Sequence, residues 1–377
     1  MLLAIVNLVG IEKIVTFVVM LSVLVVLHEL GHFIVARRNG VRVNEFAVGM
    51  GPKLLGWTSA RSGTLYSLRA LPIGGYCAMQ GEDGKTSEAE QQREFRGARQ
   101  LEKDNFQAKS AWQRLAIVLA GPIANFLLCF LILVIGALVF GVAGEGNQPV
   151  VGMLVKGSAA DVAGLRPGDR IVALEGVAVA NGGTLVNTIH GALGKKLDLV
   201  YQRNGVRTEV YVTPAQCAIP PGKKGWGCIG FSPVPAYQRV GIAQAVQISA
   251  AEFRNIASDT VGSIGLLVTH FTKYAPQLSG PIGIGQVATT VQDWGWGPYL
   301  NLAATISFAL GLFNLLPIPA LDGGRAAFII AELVRGKPVD PEKEAMVHIA
   351  GFAALMALML LVAFHDIARI ASGNGVM

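Results

Sequence analysis

Residues 23–38 read VLVVLHELGHFIVARR and set His28, Glu29 and His32 inside an apolar run that starts near Ile14. An ionisable residue in a membrane-length apolar segment costs roughly 2.5–3.5 kcal/mol on insertion scales, so three of them together call for a task. On a helix the two histidines, four positions apart, share a face and can bind one metal, with Glu29 beside them to hold a water. His-Glu-x-x-His is the pattern of zinc hydrolases, in which the metal acidifies water and the carboxylate takes its proton. The same short pattern arises by chance on ordinary soluble helices; the apolar setting is what argues for a metal here.

Composition places the whole chain in the same medium. Of 377 residues, 52% are hydrophobic and 15% charged, against about 25% charged in soluble domains. The formal charge of +6 is not gathered into a dense basic run, which excludes a nucleic-acid surface. Stretches near 11–36, 115–140, 300–319 and 346–364 meet or approach the roughly 20-residue span length. The chain therefore reads as a polytopic α-helical membrane protein of about four transmembrane helices. No basic region precedes the first apolar run and no small-residue cleavage site follows it, so a retained helix is expected and not a signal peptide. Arg37 and Arg38 place its C-terminal end in the cytoplasm under the positive-inside rule, with both termini outside.

The segments between the spans differ in composition. After the first span (1–38), residues 39–110 carry Gly- and Pro-punctuated apolar runs, FAVGMGPKLL and TLYSLRALPIGGYCAM. These predict β-hairpins associated with the membrane from the cytoplasmic side, with the polar residues 81–109 as a solvated, mobile connection. The second span (111–141) opens with LAGPIANF, where Gly121 and Pro122 are expected near the helix start and Asn125 serves as interhelical glue, not as a catalytic group. Residues 149–214 alternate short β-type runs with a helix near 183–193 and predict an inserted α+β domain. Cys217 and Cys228 close a short Pro- and Gly-rich loop outside the membrane; a disulfide is expected there, two separate thiols being the alternative. In the connecting region 215–299, apolar positions recur every three or four residues over 241–271, predicting amphipathic helices on the membrane or under the inserted domain. Trp294 and Trp296 sit where an interface belt wants them.

The third membrane segment (300–324) runs into FNLLPIPALDGGR. Pro317 and Pro319 interrupt helix hydrogen bonding, which at membrane depth is tolerated only against protein or a polar cavity. Asp322 stands just beyond the break and is the best candidate for a third metal ligand, a catalytic zinc site taking three protein ligands and leaving one position open. Glu332, Asp340, Glu344, His348 and His365 are the other candidates, and the ordinary alternative is that Asp322 caps the next helix. A fourth transmembrane helix (345–367) follows.

HELGH, GPIANF, the AGLRPGDRI string of the insert, SGPIG and NLLPIPALDGG together resemble the site-2 protease family of intramembrane zinc metalloproteases, in its bacterial RseP-type branch. The insert is similar to the PDZ domains of bacterial proteases, which often add a peptide to a sheet edge. One such domain is found where RseP-type relatives carry two in tandem, unless residues 217–235 hold a remnant of the second. The resemblance implies that His28, His32 and Asp322 bind one Zn2+ per chain, that Glu29 is the general base and that Asn314 helps hold the substrate backbone. Asn125, Pro317, Pro319 and Gly323 fall in the motifs that would support the site. It also implies that the hairpins take the substrate as an extended strand. The implied substrates are transmembrane segments of anti-sigma factors or signal-peptide remnants, cut in the bacterial inner membrane, with the PDZ-like domain on the periplasmic side as a filter against bulky substrates or a module that recruits them. Two rival classes remain at this point. A metal transporter would leave Glu29 and the insert unexplained, and an inactive PDZ scaffold would leave HELGH and LDGG idle.

Overall fold

Among the described residues four helices are long and apolar enough to cross a membrane, within 10–38, 111–140, 296–315 and 343–370. The computed structural model describes residues 8–82, 102–143, 148–217, 225–234, 237–274, 280–337 and 339–371. Most of the polar connection expected at 81–109 lies outside the described residues, as does Ser279 at the head of SGPIG. In chain order the main elements begin with α1 (Leu8–Arg38), β1 (Val43–Thr58), β2 (Leu65–Met79) and α2 (Ala111–Phe140). The insert then supplies β3 (Val150–Leu154), β4 (Arg170–Leu174), α3 (Gly182–His190), β5 (Leu197–Arg203), β6 (Val206–Val212) and β7 (Phe231–Val234). The chain ends in α4 (Ile242–Thr269), α5 (Pro281–Asp293), α6 (Trp296–Leu315), α7 (Asp322–Arg335) and α8 (Pro341–Ala371). Two compact units result, one from residues 1–133, 252–289 and 301–367, the other from 134–251, 290–300 and 368–377.

In the first unit, small residues let the helices approach closely. A Cβ at Gly31 would lie 2.4 Å from the Ala120 carbonyl oxygen, and one at Gly311 would lie 3.0 Å from that of Pro122. Phe126 and Phe253 both pack on Phe308 of α6, with ring centroids 5.0 and 5.4 Å away. Outward surfaces stay apolar: Val15, Val19, Leu127, Leu131, Leu360 and Leu361 are all exposed, as lipid-facing positions require.

The expected hairpins are a single long one, β1 against β2, bent by irregularities so that residues 45–48 pair with 75–78 on one side and with 65–68 on the other. Gly75 permits this, since a Cβ there would meet the Ala47 carbonyl oxygen at 2.7 Å. The inner part packs on α1 and α2 through Phe33, Phe46, Cys77 and Ile117, and Ser22 of α1 donates to the Pro72 carbonyl. Met50, Leu54, Leu55 and Trp57 at the far end are exposed, an apolar tip suited to lipid.

Three expectations are corrected. The third membrane segment does not run to 324: α6 stops at Leu315, and α7 begins afresh at Asp322, because two prolines in the link cannot donate to a helical ladder. Gly121 and Pro122 are not at a helix start but well inside α2, which begins at Ala111. The amphipathic region 241–271 forms one long helix, α4, followed only by a short turn of helix at Phe271–Tyr274.

The second unit holds the insert, a sheet ordered β7-β3-β4-β5-β6 over a core that includes Val151, Ile171, Leu185, Leu199 and Ile229. Asn204 and Gly205, both at positive φ, turn β5 into β6, the combination a tight hairpin wants. The insert does not end at 214. Residues 231–234 return to pair with β3, Phe231 opposite Leu154 and Val234 opposite Val150, so among the described residues the Cys217–Pro235 region completes the one sheet and holds no second domain. Cys217 and Cys228 are joined by a disulfide with Cα atoms 4.9 Å apart.

Candidate metal centre and active site

Helix α1 carries His28 and His32 on the face turned toward α2, and Gly121 makes the room for them. A Cβ at that position would lie 2.2 Å from His32 Nε2 and 2.7 Å from His28 Cε1. Pro122, lacking an N–H, leaves the Val118 carbonyl without its helical donor in the same turn. His32 Nδ1 is 2.8 Å from the Ile117 carbonyl oxygen; a carbonyl only accepts, so Nδ1 holds the proton and Nε2 presents a lone pair. His28 Nδ1 is 3.1 Å from the Asn125 amide, whose Oδ1 otherwise has no partner. The amide oriented with its oxygen toward Nδ1 satisfies that oxygen and gives His28 the tautomer of His32. Asn125 is wholly buried, and its backbone carbonyl accepts from Ser307 of α6 at 2.9 Å.

Asp322 arrives from the other side. It is the first residue of α7 and not its cap; Leu321 holds the N-cap position, with no side-chain cap bond. The following Gly323 and Gly324 let the helix start press on the preceding link, since Cβ atoms there would lie 2.2 Å from the Leu316 and 2.4 Å from the Ile318 carbonyl oxygens. Pro317 and Pro319 shape that link. As a result Asp322 Oδ2 sits 3.1 Å from His28 Nε2 and 3.3 Å from His32 Nε2, and the two nitrogens are 3.2 Å apart.

Three buried lone-pair atoms thus converge with no proton between them, an arrangement that repels itself unless a cation sits among them. A tetrahedral ion with ligands about 2.0–2.1 Å away has its donors about 3.3 Å from one another, so the triangle has the size of one face of a zinc tetrahedron. The donor set, two imidazoles with their outer nitrogens hydrogen-bonded plus one carboxylate, also suits zinc. Among the described residues Glu332, Asp340, Glu344, His348 and His365 do not join the group; Glu332 instead pairs with Arg114 at 2.5 Å.

Two cavities meet at this triangle, and Glu29 lines both. The larger, about 580 Å³, is walled by Glu29, His32, Asp322, Val118, His348, Phe352 and the backbone strip 76–79 of β2. The smaller, about 210 Å³, is walled by Val25, His28, Glu29, Asn125, Leu310, Asn314 and Asp322. Residues 75–78 give their ladder bonds to β1 on one side, and no other strand joins that sheet among the described residues. That strip is an edge of the sheet among the described residues, and residues 76–79 line the larger cavity. The strip is fixed from behind by Glu45, which accepts from Ser67 (2.5 Å), Arg69 (2.7 Å) and Tyr76 (2.8 Å). Burial would raise the Glu45 pKa, but these three donors outweigh it and hold the carboxylate below its ordinary range.

Sequence reasoning placed the triangle's residues and Asn314 but gave Gly121 no part in the site, although the GPIANF string was the available signal. It also passed over the Glu45 cluster, which has no local pattern.

Known proteins match this chain over the stretch that holds these residues. A match to the family described as peptidase family M50 spans residues 16–358. Zinc metalloprotease RasP of Bacillus licheniformis is 34% identical over 428 aligned residues, covering 95% of this chain and 99% of the relative. The regulator of sigma-W protease RasP of Bacillus subtilis is 31% identical over 428, covering 96% and 99%. Among solved structures, the PDZ domain of the SdrC-like protein of Listeria monocytogenes matches at 24% identity and a TM-score of 0.20, covering 25% of this chain.

Proposed function

Since the chain belongs to peptidase family M50 and is a zinc metalloprotease, we propose that His28, His32 and Asp322 are its zinc ligands and Glu29 its general base. The observation that carries this reading is the near-equilateral triangle of Nε2, Nε2 and Oδ2, with Glu29 at the junction of the two cavities. Bound zinc supplies Lewis acidity, which makes water a nucleophile near neutral pH and polarises the scissile carbonyl. Glu29 takes the proton from the attacking water and returns it to the departing amine. Asn125 and the Ile117 carbonyl hold the two imidazoles in the liganding tautomer.

A helix in a membrane shields its own peptide bonds, so a substrate span must unwind, and its freed backbone groups need partners. The free edge at 75–78 offers them by strand addition, and Asn314 in the smaller cavity offers an amide to the same backbone. The substrates that fit are single transmembrane segments, of the anti-sigma-factor or signal-peptide kind; the name of the Bacillus subtilis relative, regulator of sigma-W protease, points the same way. Arg37 and Arg38 at the end of α1 support an orientation in the inner membrane with that end in the cytoplasm and the insert outside. There the insert filters substrates by the bulk of their outer portions.

The test is cleavage of a model transmembrane peptide in detergent. Hydrolysis should stop with a chelator and return with zinc, quicken when a helix-breaking residue is placed in the peptide, and slow in Asn314→Leu with zinc still bound. Indifference to both the helix breaker and Asn314→Leu would mean the substrate enters already unfolded, and turnover in chelator would remove the metal assignment.

A further inference from the structure

Ala320, two residues ahead of Asp322, has φ +78°, in the left-handed region where a Cβ is unwelcome. Among the described residues the other non-glycine positions with positive φ, Glu175 and Asn204, sit in tight turns of the insert, each followed by a glycine. Ala320 also sits in a turn, closed by the Leu321 N–H on the Ile318 carbonyl at 3.2 Å, but at the third position, where glycine is the usual residue, and no glycine follows it. It lines both cavities beside the ligand, and the backbone it strains is the one that aims Asp322.

Besides that turn bond, a second hold comes from α8. The Ala320 N–H donates to His348 Nδ1 at 2.9 Å, across 28 residues of chain. A backbone N–H only donates, so Nδ1 is the acceptor and the imidazole is neutral, with its proton on Nε2. One turn further on, Gly351 lets α8 press against the same link, since a Cβ there would lie 2.4 Å from Pro319 Cβ and 2.8 Å from the Pro319 carbonyl oxygen. The Phe328 ring from α7 packs beside the imidazole, centroids 5.7 Å apart. No side-chain cap secures the start of α7 at Leu321.

From this we propose that His348 is a positioning residue for the zinc: by accepting the Ala320 N–H it holds the link in its left-handed bend and so sets where Asp322 Oδ2 points. The proposal rests on the reading of Asp322 as a ligand. His348 touches none of the three ligands; it acts through the backbone between Pro319 and Asp322. The ligand triangle has edges of 3.1–3.3 Å, and a small rotation at Ala320 carries Oδ2 off it. Partners of this supporting kind typically contribute a factor of about 10–100 to metal affinity.

The experiment measures zinc affinity by competition with a chromophoric chelator, and the ligand-field absorption of the cobalt-substituted full-length enzyme, in detergent. His348→Asn keeps an acceptor in the place of Nδ1 and should stay near the parent in both. His348→Gln puts its amide a bond farther out, in the place of Nε2, and should lose about 10–100-fold in zinc affinity with an altered cobalt spectrum, as should His348→Leu. Adding Ala320→Gly, which makes positive φ inexpensive, should restore much of the loss; a role confined to helix packing would show no such rescue. The contrast of Asn with Gln stands even if the leucine variant is not recovered folded. Asp322→Ala serves as the reference. If it loses zinc while His348→Gln binds as the parent does, the positioning role is overturned and the ligand assignment survives. If Asp322→Ala itself retains zinc, both fall.

Discussion

Two carboxylates follow proline-containing strings in this chain, the buried Asp169 after RPG and the half-buried Asp322, with its Oδ2 inside, after PAL, and their surroundings are opposite. Asp169 in the insert is 1% exposed and receives Arg203 Nε at 2.7 Å, Arg203 Nη2 at 2.7 Å and the Arg166 N–H at 2.7 Å. Each of its oxygens is met by donors, and the carboxylate is a brace between a turn and a strand. Asp322 meets two imidazole nitrogens that bring lone pairs of their own, and its inner oxygen has no hydrogen-bond donor. Each has an oxygen shut away from water; what separates a brace from a site is whether the protons in reach balance the acceptors.

The contrast is broken or sharpened first at Glu29. Glu29→Gln keeps every zinc ligand, so zinc content should remain one per chain while hydrolysis of a transmembrane peptide falls by about 10²–10⁴-fold, the usual worth of a general base. Loss of zinc in that variant would mean Glu29 belongs to the triangle and the count of acceptors is wrong. Gly121→Ala comes next. Its Cβ would stand 2.2 Å from His32 Nε2, and helical backbone on both sides cannot yield, so the imidazoles must turn away. Zinc content and activity should drop together, while hydrogen-exchange protection across 150–234 stays as in the parent.

The opposite substitution tests the brace. Asp169→Ala strands the partly exposed Arg203 guanidinium and the Arg166 N–H. Lost hydrogen-exchange protection within the insert is expected, with zinc affinity unchanged. A fall in zinc affinity would show that the insert's carboxylate serves the metal site after all.

How much of this was readable in advance follows from the same distinction. His28, Glu29, His32 and Asp322 stood out because a membrane makes ionisable residues conspicuous, and the PDZ-like string AGLRPGDRI marked the insert because its turn needs those residues in that order. The reach of the insert to β7 was not readable, since FSPV is too short and too plain to announce the strand partner of Val150–Leu154. Nor was the end of α6 at Leu315, where the prolines signalled a break but not its position. Gly121 was visible as a small residue near a helix contact, yet its purpose depends on where two rings from α1 arrive, which only three-dimensional packing decides. Glu45 has the same history: Ser67, Arg69 and Tyr76 reach it across two strands, and no local spacing in the chain foretells that meeting.

Glu45 lies between the two extremes, and its effect is the smallest. It is a partly exposed carboxylate with three donors, held below the ordinary glutamate range by them against the pull of burial. A depressed folded-state pKa means that Glu45 stabilises the hairpin fully above the unfolded value of about 4.3, and that this contribution is lost as pH falls through the folded-state value. Partly solvated pairs of this kind contribute about 0.2–1 kcal/mol. Glu45→Gln should therefore lower hydrogen-exchange protection of residues 43–79 by that amount at pH 6–7, after correction for intrinsic exchange, and the gap to the parent should close toward pH 3. Because the cluster stands behind the free edge at 75–78, the same variant should raise KM for an extended substrate more than it lowers kcat. A gap that persists unchanged at low pH would assign the effect to packing of the side chain and not to its charge, and Glu45 would then be no brace of the Asp169 kind.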